Sequence, residues 1–319
     1  MDTPLILLCP GQGAQAVGMG KAWYDASPDA RKVFDEADRA LGDRLGAKLT
    51  ELCFSGPADR LNRTDISQPA IYTASVASWK GMLAAWGHGN GEARIAAVAG
   101  LSLGEYTALH VAGVFSFLDG LELVTLRGRA MQDAAEAAPS GMVALIGADE
   151  AQANAVCEAA RGGDVLVCAN FNAPGQIVLS GGKAAIERAV TAAAERGLRS
   201  AVLPVAGAFH SPLMKPAADR LAAAIAKTTM REPRCPVLSN VSARPHAAAG
   251  TRTMTQSIGE GLVDQLTSPV RWEQSCRFLL SMLPAGGQVH ELAPGVTLAG
   301  LMRRIDKPTK VITHDQPQA

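Results

Sequence analysis

The apolar run Leu5-Ile6-Leu7-Leu8-Cys9 is of strand length and predicts a first strand over 5–9. It is followed by Pro10-Gly11-Gln12-Gly13-Ala14-Gln15, a glycine-rich turn able to bring backbone amides close to a ligand. Ser27-Pro28-Asp29 supplies an N-cap, a proline at the first helical position and an acid in the first turn, which opens a helix closing at Gly42. A second helix is expected over 69–86, and the apolar run 94–99 reads as a strand with Gly100 marking a sharp exit. A helix should follow from about Leu103. Ser116-Phe117-Leu118-Asp119 has the spacing of a capping box, and the 3.6-residue period in Leu118, Leu121, Thr125 and Gly128 carries the next helix to about Ala134. Strands alternating with helices imply an α/β fold with a parallel sheet.

From Pro139 the pattern changes. Strands are expected at 142–146, 165–169, 176–180 and 200–204, with helices at 150–161 and 183–196. That β-α-β-β-α-β order is the split pattern of a ferredoxin-like unit. It divides the chain into a small α+β subdomain at 139–205 and a larger α/β part made of 1–138 and 206–319, in which 236–239 and 310–313 are expected strands.

Composition narrows the function class. Of the 319 residues 48% are hydrophobic, enough for one large core or two unequal ones. Thirty Lys and Arg balance thirty Asp and Glu, so no overall field draws in nucleic acid or an anionic membrane. Seven Phe, four Trp and three Tyr beside 32 Gly favour close helix-on-sheet packing over a base-stacking platform. The six cysteines, Cys9, Cys53, Cys157, Cys168, Cys235 and Cys276, form no C-x-x-C pair, so neither zinc-site spacing nor a redox motif is present and free thiols in a reducing compartment fit. No apolar stretch approaches the ~20 residues of a membrane-spanning helix, and the short, acidic first segment does not read as a signal peptide. A cytoplasmic small-molecule enzyme is expected.

Gly100-Leu101-Ser102-Leu103-Gly104 fits G-x-S-x-G between an expected strand and an expected helix, the setting of a nucleophile elbow. Such an elbow lifts the serine Oγ clear of the sheet and aims the next N–H, here of Leu103, at a developing oxyanion. The plainer reading of Ser102 is a turn serine capping a helix. A serine nucleophile needs a general base, and the histidines are His88, His110, His210, His246, His290 and His314. His210 stands in Gly207-Ala208-Phe209-His210-Ser211-Pro212, on a loop after an expected strand, whereas His110 reads as a structural helix residue. Arg127 shares a helix face with Val124 and Met131, so it can point inward, where a guanidinium needs an anion. A protein carboxylate or a substrate would serve; the structural ion pair is the more ordinary solution.

The segments Pro10-Gly11-Gln12-Gly13-Ala14-Gln15, Gly100-Leu101-Ser102-Leu103-Gly104-Glu105-Tyr106, Leu126-Arg127-Gly128-Arg129-Ala130-Met131-Gln132 and Gly207-Ala208-Phe209-His210-Ser211-Pro212-Leu213-Met214 stand in a telling order. From about residue 5 to 306 the chain resembles the malonyl-CoA:acyl-carrier-protein transacylases and the acyltransferase domains of polyketide synthases. The resemblance implies an α/β-hydrolase-like core with a ferredoxin-like insert and an active site in the cleft between them. It implies Ser102 as nucleophile, His210 as general base and acid, the backbone amides of Gln12 and Leu103 as oxyanion hole, and Arg127 as the ligand of the malonyl carboxylate. The main-chain carbonyl of Gln265, in Leu262-Val263-Asp264-Gln265-Leu266, would orient the imidazole. Asn170 and Asn172 match asparagines lining the family's cleft. Leu101 stands where members often carry His, and Phe209 resembles a residue that crowds an α-methyl group, so these two are the expected acyl-selectivity positions, with malonyl preferred over methylmalonyl. Ala293-Pro294-Gly295-Val296 replaces a more usual Gly-Pro-Gly-Lys and is expected to be a surface turn.

The implied reaction is a ping-pong transfer of malonyl from malonyl-CoA through Ser102 to the pantetheine thiol of an acyl carrier protein, supplying fatty acid synthesis. No metal or redox cofactor is needed. Expected partners are malonyl-CoA, coenzyme A and an acidic carrier protein met by a basic rim drawn from Arg188, Arg196, Arg199, Lys215 and Arg303; no nucleic acid or membrane is involved, and the chain is expected to be a monomer. The alternatives are a stand-alone acyltransferase serving a polyketide synthase or a malonate-metabolising complex, a serine esterase or thioesterase, which shares G-x-S-x-G and a histidine, and a catalytically silent carrier-binding module.

Overall fold

The structure is a computed structural model that describes residues 3–87 and 90–318, so His88 lies outside the described residues. Among the described residues there are eight strands: β1 (Leu5–Cys9), β2 (Ile95–Gly100), β3 (Ser140–Ile146), β4 (Leu166–Ala173), β5 (Gln176–Gly182), β6 (Arg199–Val202), β7 (Gln288–Leu292) and β8 (Val311–His314). Four of them form a parallel sheet in the order β2-β1-β7-β8. Leu5, Leu7 and Cys9 belong to one buried cluster and Ile6 and Leu8 to another on the opposite face. Burial on both faces is why the apolar run of β1 is unbroken.

The central strand β7 has no apolar run to announce it. Its Gln288-Val289-His290-Glu291-Leu292 buries two polar side chains that are satisfied locally. Glu291 accepts the N–H groups of Leu298 (2.8 Å) and Ala299 (2.7 Å) at the start of the helix Thr297–Ile305, and His290 Nδ1 lies 2.8 Å from His314 Nε2 on β8. Conversely, the strand expected at 236–239 is reduced to a bridge. Val98 N–H donates to Pro236 O (2.9 Å) and Leu238 N–H to Val98 O (3.1 Å), but Pro236 has no N–H with which to extend the ladder.

The helix Pro28–Leu41 starts and stops where its caps require, with Ser27 Oγ accepting from Ala30 N–H. The next long helix, Thr64–Trp86, begins five residues before the expected Pro69. Its first turn is fixed by packing against the helix Phe117–Ala137: Gln132 Oε1 accepts the Thr64 N–H (3.2 Å), and a Cβ on Gly128 would come within 2.7 Å of Thr64 O. Tertiary contact thus outweighs proline's preference for a helix start. The helix is buried nearly all round, which explains its weak amphipathic signal.

The second sheet, β4-β5-β3-β6, is antiparallel and is covered by the helices Glu150–Arg161 and Lys183–Glu195. It has its own core, including Val143, Leu145, Val156 and Ile186. The fold is therefore an α/β-hydrolase-like core with a parallel sheet, joined to a ferredoxin-like α+β unit. The two meet where Phe171 N–H donates to Val270 O (2.9 Å) and Val270 N–H to Ala169 O (2.8 Å). The segment 293–296 is a surface turn only at its end. Ala293 is fully buried and exchanges hydrogen bonds with the hydroxyls of Ser75 (2.6 Å) and Ser78 (3.1 Å), while Val296 is exposed. The apolar Ala293 fits there because it is enclosed by the helix Thr64–Trp86.

Close approach makes two glycines obligatory. A Cβ on Gly100 would lie 1.8 Å from the carbonyl carbon of Gly104, and one on Gly104 would lie 2.0 Å from Cys9 O. Because the obstacle is backbone, relief requires moving β1, β2 or the helix Gly104–Val111. Gly104→Ala should cost about 3 kcal/mol or more of stability, read from urea unfolding; a loss below about 1 kcal/mol would contradict this packing.

Candidate active site

Strands β1 and β2 are adjacent and parallel, so the loops that leave their C-terminal ends lie side by side. Leu101 N–H donates to Cys9 O (3.1 Å), and a Cβ on Gly11 would sit 2.1 Å from Leu101 O. At the tip of the second loop Ser102 has φ 51°, a left-handed conformation that a non-glycine residue holds only when its surroundings impose it. Asn240 imposes it, with Oδ1 accepting the Ser102 N–H (2.6 Å) and Nδ2 donating to Gly100 O (2.7 Å). The N–H groups of Leu103 and Gln12 donate to no acceptor among the described residues. Leu103 stands at the N-terminal end of the helix Gly104–Val111, where N–H groups lack intrahelical partners.

His210 has φ 56° and is buried. Its Nε2 lies 2.8 Å from Ser102 Oγ and its Nδ1 lies 2.7 Å from the main-chain oxygen of Gln265. A carbonyl can only accept, so the Nδ1 carries the proton and Nε2 offers its lone pair to the serine hydroxyl. Gln265 ends the helix Met254–Asp264, and a carbonyl at that position has no intrahelical donor, which leaves it free for the imidazole. Burial pushes the His210 pKa down to about 4; the Arg127 charge adds to that and the Gln265 carbonyl opposes it. The ring is therefore neutral at pH 7.

Arg127 is 1% exposed, on the inner face of its helix with Val124 and Met131. Its Nη1 donates to Gln68 Oε1 (2.7 Å), and its Nη2 donates to Gln265 Oε1 (2.9 Å) and Ser102 Oγ (3.0 Å). The structural ion pair is not formed: no carboxylate contacts this guanidinium among the described residues. Desolvation lowers its pKa from the usual value.

Ser102, His210 and Gln12 line a cleft of about 440 Å³ with Leu101, Phe209, Asn170 and Asn172, between the parallel sheet's edge and β4. Met131, Met142, Val178 and Leu203 make its walls apolar. Asn172 Oδ1 has no hydrogen-bond partner among the described residues. His110 sits outside it, with Nδ1 3.1 Å from Phe115 O and its ring edge-on to Tyr72. No group of three or more His, Cys, Asp or Glu among the described residues is arranged to hold a metal ion.

Four groups in this network carry no role in the sequence reading: Gln68, Glu105, Asn240 and the side chain of Gln265. Glu105 had a visible signal, an acid inside an otherwise apolar run directly after the G-x-S-x-G pentapeptide. Asn240 and Gln68 had none, because what recruits them is distant in sequence.

The acyl transferase domain family matches residues 6–301. The chain is 40% identical over 318 residues to the malonyl CoA-acyl carrier protein transacylase of Salmonella typhimurium, covering 99% of this chain and 97% of that protein. The chain belongs to the malonyl-CoA:acyl-carrier-protein transacylase family. The solved transacylase of Xanthomonas oryzae superimposes with a TM-score of 0.89 at 41% identity, covering 99% of this chain and 96% of that one. A second transacylase of the family, solved in complex with a type II polyketide synthase acyl-carrier protein, gives a TM-score of 0.89 at 35% identity, covering 99% and 97%. This chain is accordingly an acyltransferase.

Its buried histidines make a prediction about stability. Desolvation pushes His210, His290 and His314, and the half-buried His110, down from 6.5 to about 4. Between pH 6.5 and 4 the unfolded chain binds more of these protons than the folded one, so stability falls as pH falls through that window. Glu291, pushed up to about 7 by burial, works in the opposite sense but is one group against four. Urea unfolding should show a loss of about 1 kcal/mol or more between pH 7 and pH 5; unchanged stability would mean that these imidazoles protonate freely in the folded protein.

Proposed function

We propose that this acyltransferase moves the malonyl group from malonyl-CoA to the phosphopantetheine thiol of an acyl carrier protein through an ester on Ser102, supplying fatty acid synthesis. The observation that carries the reading is the guanidinium of Arg127, buried, touched by no carboxylate among the described residues and 3.0 Å from Ser102 Oγ. A buried cation so placed calls for an anion brought by the substrate, and malonyl carries one where acetyl does not. The likeness to malonyl CoA-acyl carrier protein transacylases supports the same substrate and acceptor.

In this mechanism His210 Nε2 takes the Ser102 proton as Oγ attacks the thioester carbonyl. The oxyanion is received by the N–H groups of Gln12 and Leu103, which have no acceptor among the described residues. The imidazolium, steadied by the Gln265 carbonyl at a helix C-terminus, returns the proton to the departing coenzyme A thiolate. The carrier thiol then attacks the malonyl ester by the same steps in reverse. Phe209, on the cleft wall beside Leu101, crowds an α-methyl group and gives malonyl preference over methylmalonyl. The large catalytic subdomain comprises 1–138 and 206–319 and the small ferredoxin-like subdomain 139–205, with the cleft between them. Of the basic residues considered for the carrier, Arg188 is tied to Asp164 (2.6 Å) and Lys215 to Asp219. Arg196, Arg199 and Arg303 are exposed and have no ion pair among the described residues, so we assign the rim to them. The likeness to a transacylase bound to a polyketide carrier supports the alternative of a polyketide-serving enzyme with identical chemistry. Six free cysteines support a cytoplasmic setting.

Arg127→Ala should lower kcat/KM for malonyl-CoA about a hundredfold relative to acetyl-CoA; an unchanged ratio would remove Arg127 from carboxylate recognition. The acid limb of kcat/KM should lie near pH 4, where His210 gains its proton, and activity should be retained above it. A limb near 6.5 would mean that the working base is a solvated imidazole.

A further inference from the structure

Resting on that reading of Arg127, we propose that Glu105 is a positioning residue for malonyl selectivity, acting on the guanidinium through the side-chain amide of Gln265. Glu105 is fully buried, as is Gln265. Its Oε2 accepts from Gln265 Nε2 (2.7 Å) and from Asn240 N–H (3.1 Å), and its Oε1 lies 2.8 Å from His246 Nε2.

The consequence follows from what each group can do. A carboxylate only accepts hydrogen bonds, so Gln265 must turn its NH₂ toward Glu105. That leaves Oε1 facing the other way, and it is this oxygen that receives Arg127 Nη2 at 2.9 Å. The same NH₂ reaches Ser102 O (3.0 Å). A flipped amide would set its NH₂ against the guanidinium and its oxygen against the carboxylate, two repulsive contacts in place of two bonds.

The arrangement also settles the charge balance. An isolated buried guanidinium is costly, yet a carboxylate in direct contact would occupy the face needed by substrate. Here the two charges sit at opposite ends of one amide whose dipole is aligned with both. Arg127 is steadied by a carboxylate it does not touch, and its Nη2 still reaches Ser102 Oγ, where the acyl group is loaded. Asn240 ties the network to the elbow, since its N–H is held by Glu105 while its Oδ1 holds the Ser102 N–H.

The test separates positioning from mere folding by comparing malonyl-CoA with acetyl-CoA, because only malonyl uses Arg127. Glu105→Leu removes the anchor of the amide and should lower kcat/KM for malonyl-CoA about tenfold more than for acetyl-CoA. Glu105→Gln can keep an oxygen toward Gln265 and Asn240 and donate to His246, so it should recover most of that ratio. If Glu105→Leu does not fold, Gln265→Met decides the matter: it leaves Glu105 bonded to Asn240 and His246, removes only the bridging amide, and should show the same malonyl-specific loss. Equal losses for the two substrates in the folded variants, or a Glu105→Gln variant as impaired as Glu105→Leu, would overturn the proposal. A wild-type protein that does not distinguish malonyl from acetyl would instead refute the underlying role of Arg127, and that control is read before any variant.

Discussion

A guanidinium enclosed in the protein interior, with no carboxylate against it among the described residues, is the constraint around which this site is organised. Arg127 must be held by neutral oxygens, and Gln68 and Gln265 supply them from two helices far apart in the chain. Gln265 in turn serves four partners: its side-chain oxygen holds Arg127, its NH₂ holds Glu105 and the Ser102 carbonyl, and its main-chain oxygen holds His210. Ser102, His210 and Arg127 are thus registered to one residue at one helix end. Few independent adjustments remain, which is the condition for preorganised electrostatics.

That registration depends on the parallel sheet. Adjacency of β1 and β2 brings the glycine-rich loop 10–15 beside the elbow, and the absence of side chains at Gly11, Gly100 and Gly104 lets backbone segments approach to within contact. The left-handed dihedrals of Ser102 and His210 fall at the two residues whose side chains meet at 2.8 Å, and these residues are held by Asn240 and Gln265. The second sheet contributes a wall: β4 is stitched to Val270 and presents Asn170 and Asn172 to the cleft.

Much of this was legible in the chain because its signals are local. Caps at Ser27 and Ser116, the unbroken apolar β1 and the elbow pentapeptide are each written within a few residues, and Ser102 stands in the last of them. What was not legible is set by tertiary contact. β7 carries buried His290 and Glu291 because a helix N-terminus and His314 satisfy them, so no apolar pattern marks it. Helix Thr64–Trp86 starts ahead of Pro69 because Gln132 caps it from another helix. The ion pair expected of Arg127 is replaced by two amides, and the acid that balances it, Glu105, lies one amide away, a relation that no spacing along the chain encodes.

Whether Ser102 carries malonyl between two thiols is read directly from intact-protein mass. Mixing the protein with malonyl-CoA should add one malonyl group, absent in Ser102→Ala, and adding a phosphopantetheinylated carrier protein should move that mass to the carrier. An adduct that is lost to water equally fast with or without the carrier would mean a thioesterase, and no adduct at all would contradict the assignment of Ser102 as nucleophile.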